Sequence, residues 1–183
     1  MDRHWRRRAS AISSARAPAG GPPSVELLRL CLERWWFLGR YVVQHLAKMG
    51  SQVLVPFQGS EDCHRHLKLM GDLGQEVPMK YDPRNESSIK AAMAKANVVL
   101  HLIGRKYDTR NDSFEEVNRD MAVQLAMIAK EHGGIMRFIQ VSCLGASLSS
   151  PSRMLRAKAA AEEAILGELP EVVLFPFCSL QNI

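Results

Sequence analysis

From residue 37 onward the spacing of apolar residues changes at regular intervals. In FLGRYVVQHLAKMG (37–50) apolar positions at 38, 42, 43, 46 and 49 form a helical stripe that ends at Gly50. SQVLVPF (51–57) is a short β-branched run that predicts a buried strand. SEDCHRHLKLMGDLG (60–74) predicts a short helix opened by Ser60 and stopped at Gly71, and EVPMKYD (76–82) a weak strand. NESSIKAAMAKA (85–96) reads as a capped helix, and NVVLHLIG (97–104) as the strongest strand, apolar almost throughout. A long amphipathic helix (113–133), a buried strand (135–145), an Ala-rich helix (149–169) and a last strand (171–177) complete the series.

Near-continuous apolar strands alternating with helices indicate a parallel sheet covered on both faces. Right-handed crossovers make it a doubly wound α/β, Rossmann-like sheet. Such sheets bind ligands at the carboxyl ends of their strands, near the topological switch point. That singles out Pro56 to Gly59, Asp82 to Arg84, Leu102 to Arg105, Ser142 to Gly145, and the residues from Pro176 onward.

The start of the pattern departs from this scheme. Phe37-Leu38-Gly39 matches the last third of a glycine-rich turn, yet SVELLRLCLERWW (24–36) precedes it with helical spacing at Val25, Leu28, Leu32 and Trp35. Arg34, with Glu33 and Trp36 as neighbours, stands where turn glycines are expected, and side chains there hinder close approach of the backbone to a pyrophosphate. The sheet is therefore expected to lack its first strand, leaving two strand edges unpaired. Residues 24–36 either pack as a helix or replace that strand by pairing.

Composition changes this picture at one end only. The 183 residues are 46% hydrophobic and 23% charged, an ordinary globular balance. The net charge of +5 lies within residues 1–40, which hold eight basic and three acidic groups; residues 41–183 hold sixteen of each. The folded body is thus neutral and carries no spread basic footprint for nucleic acid. Residues 1–23 form a basic leader and linker, expected to be disordered, with the Arg, Ser and Ala composition of an organelle transit peptide. A basic leader without an address and a nucleic-acid-binding arm are the alternatives. Cys31, Cys63, Cys143 and Cys178 form no metal-ligand spacing and read as reduced, mostly buried residues. Met49, Met70, Met93, Met121, Met127 and Met136 read as core filling. No metal, no covalent cofactor and no membrane span are expected.

The stretches FLGRYVVQHLAKMGSQVLVPF, HLKLMGDLGQ, NVVLHLIGR, FEEVN, RFIQVSCLGA and SRMLRAKAAAEE, in this order and spacing, resemble one family. It is the alpha subcomplex subunit 9 family of mitochondrial NADH:ubiquinone oxidoreductase (respiratory complex I), in a plant-like version, within the atypical extended short-chain dehydrogenase/reductase superfamily. The resemblance covers residues 37 to about 175. It implies an accessory, non-catalytic nucleotide-binding subunit that supports assembly and stability of the complex. It also implies a structural NADPH, other complex I subunits as partners, and a place at the matrix side of the inner mitochondrial membrane, reached through those partners. Relatives begin with a strand and a glycine turn and continue into a C-terminal lobe. The chain is therefore expected to be a truncated form, with 24–183 an incomplete NAD(P)-binding domain. A soluble NADP-dependent reductase or isomerase of the same superfamily is the alternative, and a chain that is not stable alone is a third.

Carried over position by position, the resemblance implies a cofactor site made of Gly39, Arg40, Gln58, Leu102, Ile103, Gly104, Ser142 and Lys158. Gly39 matches the last turn glycine, and Arg40 follows it toward the phosphates. Gln58 ends the second strand, where related subunits have an arginine for the 2′-phosphate. Leu102, Ile103 and Gly104 match the segment that passes over the adenine ribose and pyrophosphate, and Ser142 falls where strand-end serines lie. Active members use Tyr-x-x-x-Lys, in which lysine lowers the tyrosine pKa and binds the nicotinamide ribose. In this register Lys158 is retained and Met154 replaces the tyrosine. A thioether donates no proton, so no catalytic residue is assigned.

Overall fold

The computed structural model describes residues 24–28, 36–67, 69, 71, 74–105, 107–110 and 112–177. Six strands, β1 (Ser24–Leu28), β2 (Gln52–Phe57), β3 (Glu76–Lys80), β4 (Val98–His101), β5 (Arg137–Cys143) and β6 (Val173–Phe177), form one sheet in the order β3-β2-β1-β4-β5-β6. Every pairing is parallel. The helices are α1 (Trp36–Lys48), α2 (Glu86–Met93), α3 (Met121–His132) and α4 (Arg153–Glu168). The doubly wound α/β class inferred from the pattern is the one observed.

The expectation of a missing first strand is overturned. Ser24–Leu28 pairs with β2 through Ser24↔Gln52 to Glu26↔Leu54, and with β4 through Glu26↔Val99 to Leu28↔His101. The residues are Ser-Val-Glu-Leu-Leu, whose intrinsic preference is as much helix as strand. Two hydrogen-bonding edges on either side decide the outcome, because an unpaired buried edge costs more than a weak propensity. Of the two alternatives for residues 24–36, pairing holds for 24–28. Residues 29–35 and the basic leader lie outside the described residues.

The other elements follow their local signals. Gly50 ends α1 and Gly133 ends α3, both in the left-handed region that glycine adopts without strain. Asn85 caps α2 by accepting from the Ser87 N–H at 3.0 Å. Pro78 sits in edge strand β3, where a missing donor does little harm. The 60–74 segment is the exception: its described residues show a 3-10 turn, Glu61–His64, in place of the expected helix, and Ser60 makes no side-chain cap there. Its glycines and short polar residues are weak helix formers. It is held to the sheet instead by buried Leu67 and by the His64 ring, 4.3 Å from that of Phe57.

Two apolar clusters cover the two faces. The larger joins Ile89, Met93, Val99, Ile103, Leu125, Phe138, Ala161 and Ile165 from α2, α3, α4 and the sheet. The smaller joins Val43 of α1 to Val53, Val55 and Leu67. Met93 fills the core as expected, but Met49, Met127 and Met136 are exposed. Among the described residues no helix is long and apolar enough to cross a membrane.

Glu26 pairs on both sides, with Leu54 and with Val99. Proline there removes a ladder donor from the middle of the sheet. Glu26→Pro is expected to abolish the cooperative thermal transition followed by circular dichroism; a melt coincident with the parent's contradicts the central placement of β1.

Candidate functional site

The strand order places the topological switch point between β1 and β4. Because all strands are parallel, the residues that follow them gather at one edge. Gly39 closes the first turn of α1 and Arg40 opens the second, Gly39 buried and Arg40 exposed. Gln58 lies exposed just past β2. Leu102 and Ile103 follow β4 with opposite directions: Ile103 enters the larger cluster and Leu102 packs against the smaller one.

On the α4 side of the sheet the site is a buried polar cluster. Lys158, 4% exposed, donates from Nζ to the Ile103 carbonyl at 3.1 Å. Gly104 allows this. A Cβ at that position would stand 3.2 Å from Lys158 Nζ and 3.4 Å from Asn118 Oδ1, tighter than ordinary contacts. Burial pushes the Lys158 pKa down, and the neighbouring Cys143 and Glu162 oppose that. Ser142 is buried at the end of β5 and its hydroxyl donates to Glu162, one turn beyond Lys158 on α4. Burial raises the Glu162 pKa, against the Ser142 bond and the Lys158 charge.

Three participants were not foreseen from the sequence: Asn118, Glu162, and the His101–Gln140 pair. Asn118 lies in the wide turn Glu116–Asp120 that leads into α3, wholly buried. Its Oδ1 accepts from the Arg105 N–H at 3.0 Å, and its Nδ2 donates to the carbonyls of Arg105 and Phe114, each at 2.9 Å. A regular helical turn offers the Phe114 carbonyl to the backbone N–H of residue 118; here the side-chain amide takes it and the turn widens. The signal was present in the pattern, because 118 falls on the apolar stripe 114, 117, 121, 125. Glu162 could have been found as the residue four beyond Lys158, on the same helical face. His101 is the one polar residue within the apolar run 98–103.

The segment after Gly104 is tied down by charge. Arg105, also buried, contacts Thr109 Oγ1 at 2.5 Å and Asp112 at 3.5 Å, and Asp112 also pairs with Arg84 at 2.6 Å. Arg153, at the start of α4, pairs with Asp108 and Glu115 and lies over the Phe114 ring, 5.0 Å from its centroid. The Arg153 bonds hold both carboxyls below their usual pKa range. The start of α4, which carries half-buried Met154, is thereby fixed to the β4–α3 connection.

Of the residues singled out from the sequence, Ile103, Gly104 and Lys158 are in direct contact, and Ser142 joins them through Glu162. Gly39, Arg40 and Gln58 stand at the same edge on the β1–α1–β2 side. The set suits an anionic, hydroxyl-rich ligand lying across the switch point. The first turn of a 13-residue helix supplies N–H groups without an intrahelical partner, Gly104 bare backbone, and Lys158 an ammonium with donors to spare.

The fold and this edge define the class: a Rossmann-type, doubly wound α/β domain. Among solved structures, UDP-glucuronic acid 4-epimerase from Bacillus cereus, in complex with NAD, superposes with a TM-score of 0.65 at 14% identity, over 85% of this chain and 57% of that one. A short-chain dehydrogenase/reductase from Serratia marcescens gives a TM-score of 0.59 at 14% identity, over 84% and 72%. No family model matches the chain.

Sequence relatives narrow the class. The chain is 70% identical over 161 residues to NADH dehydrogenase [ubiquinone] 1 alpha subcomplex subunit 9, mitochondrial, of Arabidopsis thaliana, covering 87% of this chain and 40% of that relative. It is 46% identical over 138 residues to the Mus musculus protein of the same name, covering 75% and 36%. Over the matched residues the chain is a homologue of the alpha subcomplex subunit 9 family, as its motifs implied. It spans well under half the length of these relatives.

Removing the Asn118 amide leaves the Arg105 N–H and two carbonyls without their partner. Asn118→Ala is expected to cost about 2–3 kcal/mol, from buried polar groups left unpaired. For a domain of this size that lowers Tm by roughly 5–10 °C. A thermal melt unchanged by the substitution contradicts the role given to Asn118.

Proposed function

We propose that this chain is the nucleotide-binding part of an accessory, non-catalytic subunit of mitochondrial respiratory complex I, supporting the assembly and stability of the complex. Met154, standing one turn before the retained Lys158, carries the reading. The helix keeps the ammonium that holds a ribose and lacks the phenol that moves a proton. The identity to the plant and mouse subunits supports the same assignment.

In this reading Gly39 and Arg40 face the pyrophosphate. Leu102, Ile103 and Gly104 carry the backbone past the adenine ribose, and Lys158 holds the nicotinamide ribose. Ser142 acts through Glu162. The bound dinucleotide is NADPH in a structural role, and Gln58 meets its 2′-phosphate by hydrogen bonding without charge. Residues 1–23 direct import, and other complex I subunits hold the protein at the matrix side of the inner membrane.

Titrating the purified full chain with NADPH and NADH, followed by nucleotide fluorescence, tests this directly. Saturable binding weakened by Lys158→Ala is expected, with no NADPH oxidation when carbonyl substrates are added. Turnover that Lys158→Ala abolishes favours a soluble reductase of the same superfamily instead, and absence of binding overturns the nucleotide role.

A further inference from the structure

His101 is wholly buried at the carboxyl end of β4, and its partner across the β4–β5 register is Gln140, also wholly buried. The ring Nδ1 contacts Gln140 Oε1. The Gln140 amide nitrogen donates to the Val141 carbonyl at 3.2 Å, which fixes the amide with its oxygen toward the ring. An amide oxygen only accepts, so in the neutral ring Nδ1 carries the proton and Nε2 a bare lone pair. Nε2 is buried and has no hydrogen-bond partner among the described residues.

The groups around this lone pair narrow its role. Lys158 of α4 is close enough for its charge to act on the ring; Cys143 and Glu162 act in turn on Lys158, and Asn118 meets it across Gly104. Gln140 is engaged by the ring itself and by Val141, Ser142 by Glu162, and Asn118 by Arg105 and Phe114. Lys158 has three N–H groups and gives one of them to the Ile103 carbonyl. Ile103 lies two residues beyond His101, just past the end of β4. Burial and the Lys158 charge together hold the His101 pKa down to about 3, so the ring stays neutral beside the ammonium.

We propose that His101 is a positioning residue for Lys158: locked by Gln140 with its proton on Nδ1, it accepts from the Lys158 ammonium through Nε2, directly or across one buried water. The ammonium is then held between two acceptors, one at the end of β4 and one just past it, with its remaining donor free for a ligand hydroxyl. Only this last step rests on the nucleotide reading. A protonated His101 would set two cations together without solvent, so the pair works only with a neutral ring.

Nitrogen-15 labelling of the histidines in the full chain, read by long-range proton–nitrogen correlations between pH 5 and 8, tests the pair. The His101 signal is identified as the one lost in His101→Gln. The expected result is an Nδ1–H tautomer that does not titrate over this range. In Lys158→Met the Nε2 resonance is expected to move downfield as its donor is lost, and the His101 pKa to rise. An Nε2–H tautomer in the unsubstituted chain overturns the proposal without need of any variant, as does an Nε2 resonance indifferent to Lys158→Met. These signals do not depend on nucleotide. A chain with the expected tautomer and coupling that binds no dinucleotide overturns the nucleotide reading and leaves the pair intact.

Discussion

Parallel sheets tolerate no gap, and the whole domain depends on the strand that fills the middle one. β2 and β4 face each other across the width of one strand, and each turns a row of N–H and C=O groups inward. With nothing between them, those groups lie buried and unpaired, and the halves β3-β2 and β4-β5-β6 have no ladder in common. Ser24–Leu28 satisfies both rows at once. It also creates the switch point, because a crevice forms only where the chain leaves one strand for each side of the sheet. The candidate edge for a ligand thus follows from a five-residue pairing.

On that edge the physical problem is a buried cation. An ammonium removed from water costs several kcal/mol unless its surroundings replace the lost hydration. The chain supplies the Ile103 carbonyl and the neighbouring Glu162, with Gly104 leaving room for the side chain to reach. Asn118 holds the next peptide, at Arg105, so the Ile103–Gly104 backbone cannot drift from the lysine. The Arg153 ion pairs fix the start of the helix that carries it. Such a set is held in place from three sides.

Much of this was legible in the residues. The alternation of strand and helix, the stops at Gly50 and Gly133 and the cap at Asn85 are local effects, and local effects survive in a linear pattern. Lys158 and Gly104 were marked by register, and the contact between them is present. What escaped was non-local. Ser-Val-Glu-Leu-Leu reads as well for helix as for strand, and only the two waiting edges make it a strand. The polar partners escaped for a related reason. Asn118 on an apolar stripe and His101 inside an apolar run look like blemishes until the opposing residues, Arg105 and Gln140, are placed beside them. Exposed Met127 and Met136 show the converse, since hydrophobicity alone does not say which face of an element is covered.

Amide hydrogen exchange, resolved by residue in the full chain, tests the central placement of β1 most directly. Protection of the Val25 to Leu28 amides comparable to that of Val53 to Val55 and Val99 to His101 is the result this account predicts, because all belong to one interior ladder that opens only with the sheet. Exchange of 25–28 at unfolded-chain rates, with β2 and β4 still protected, would contradict it.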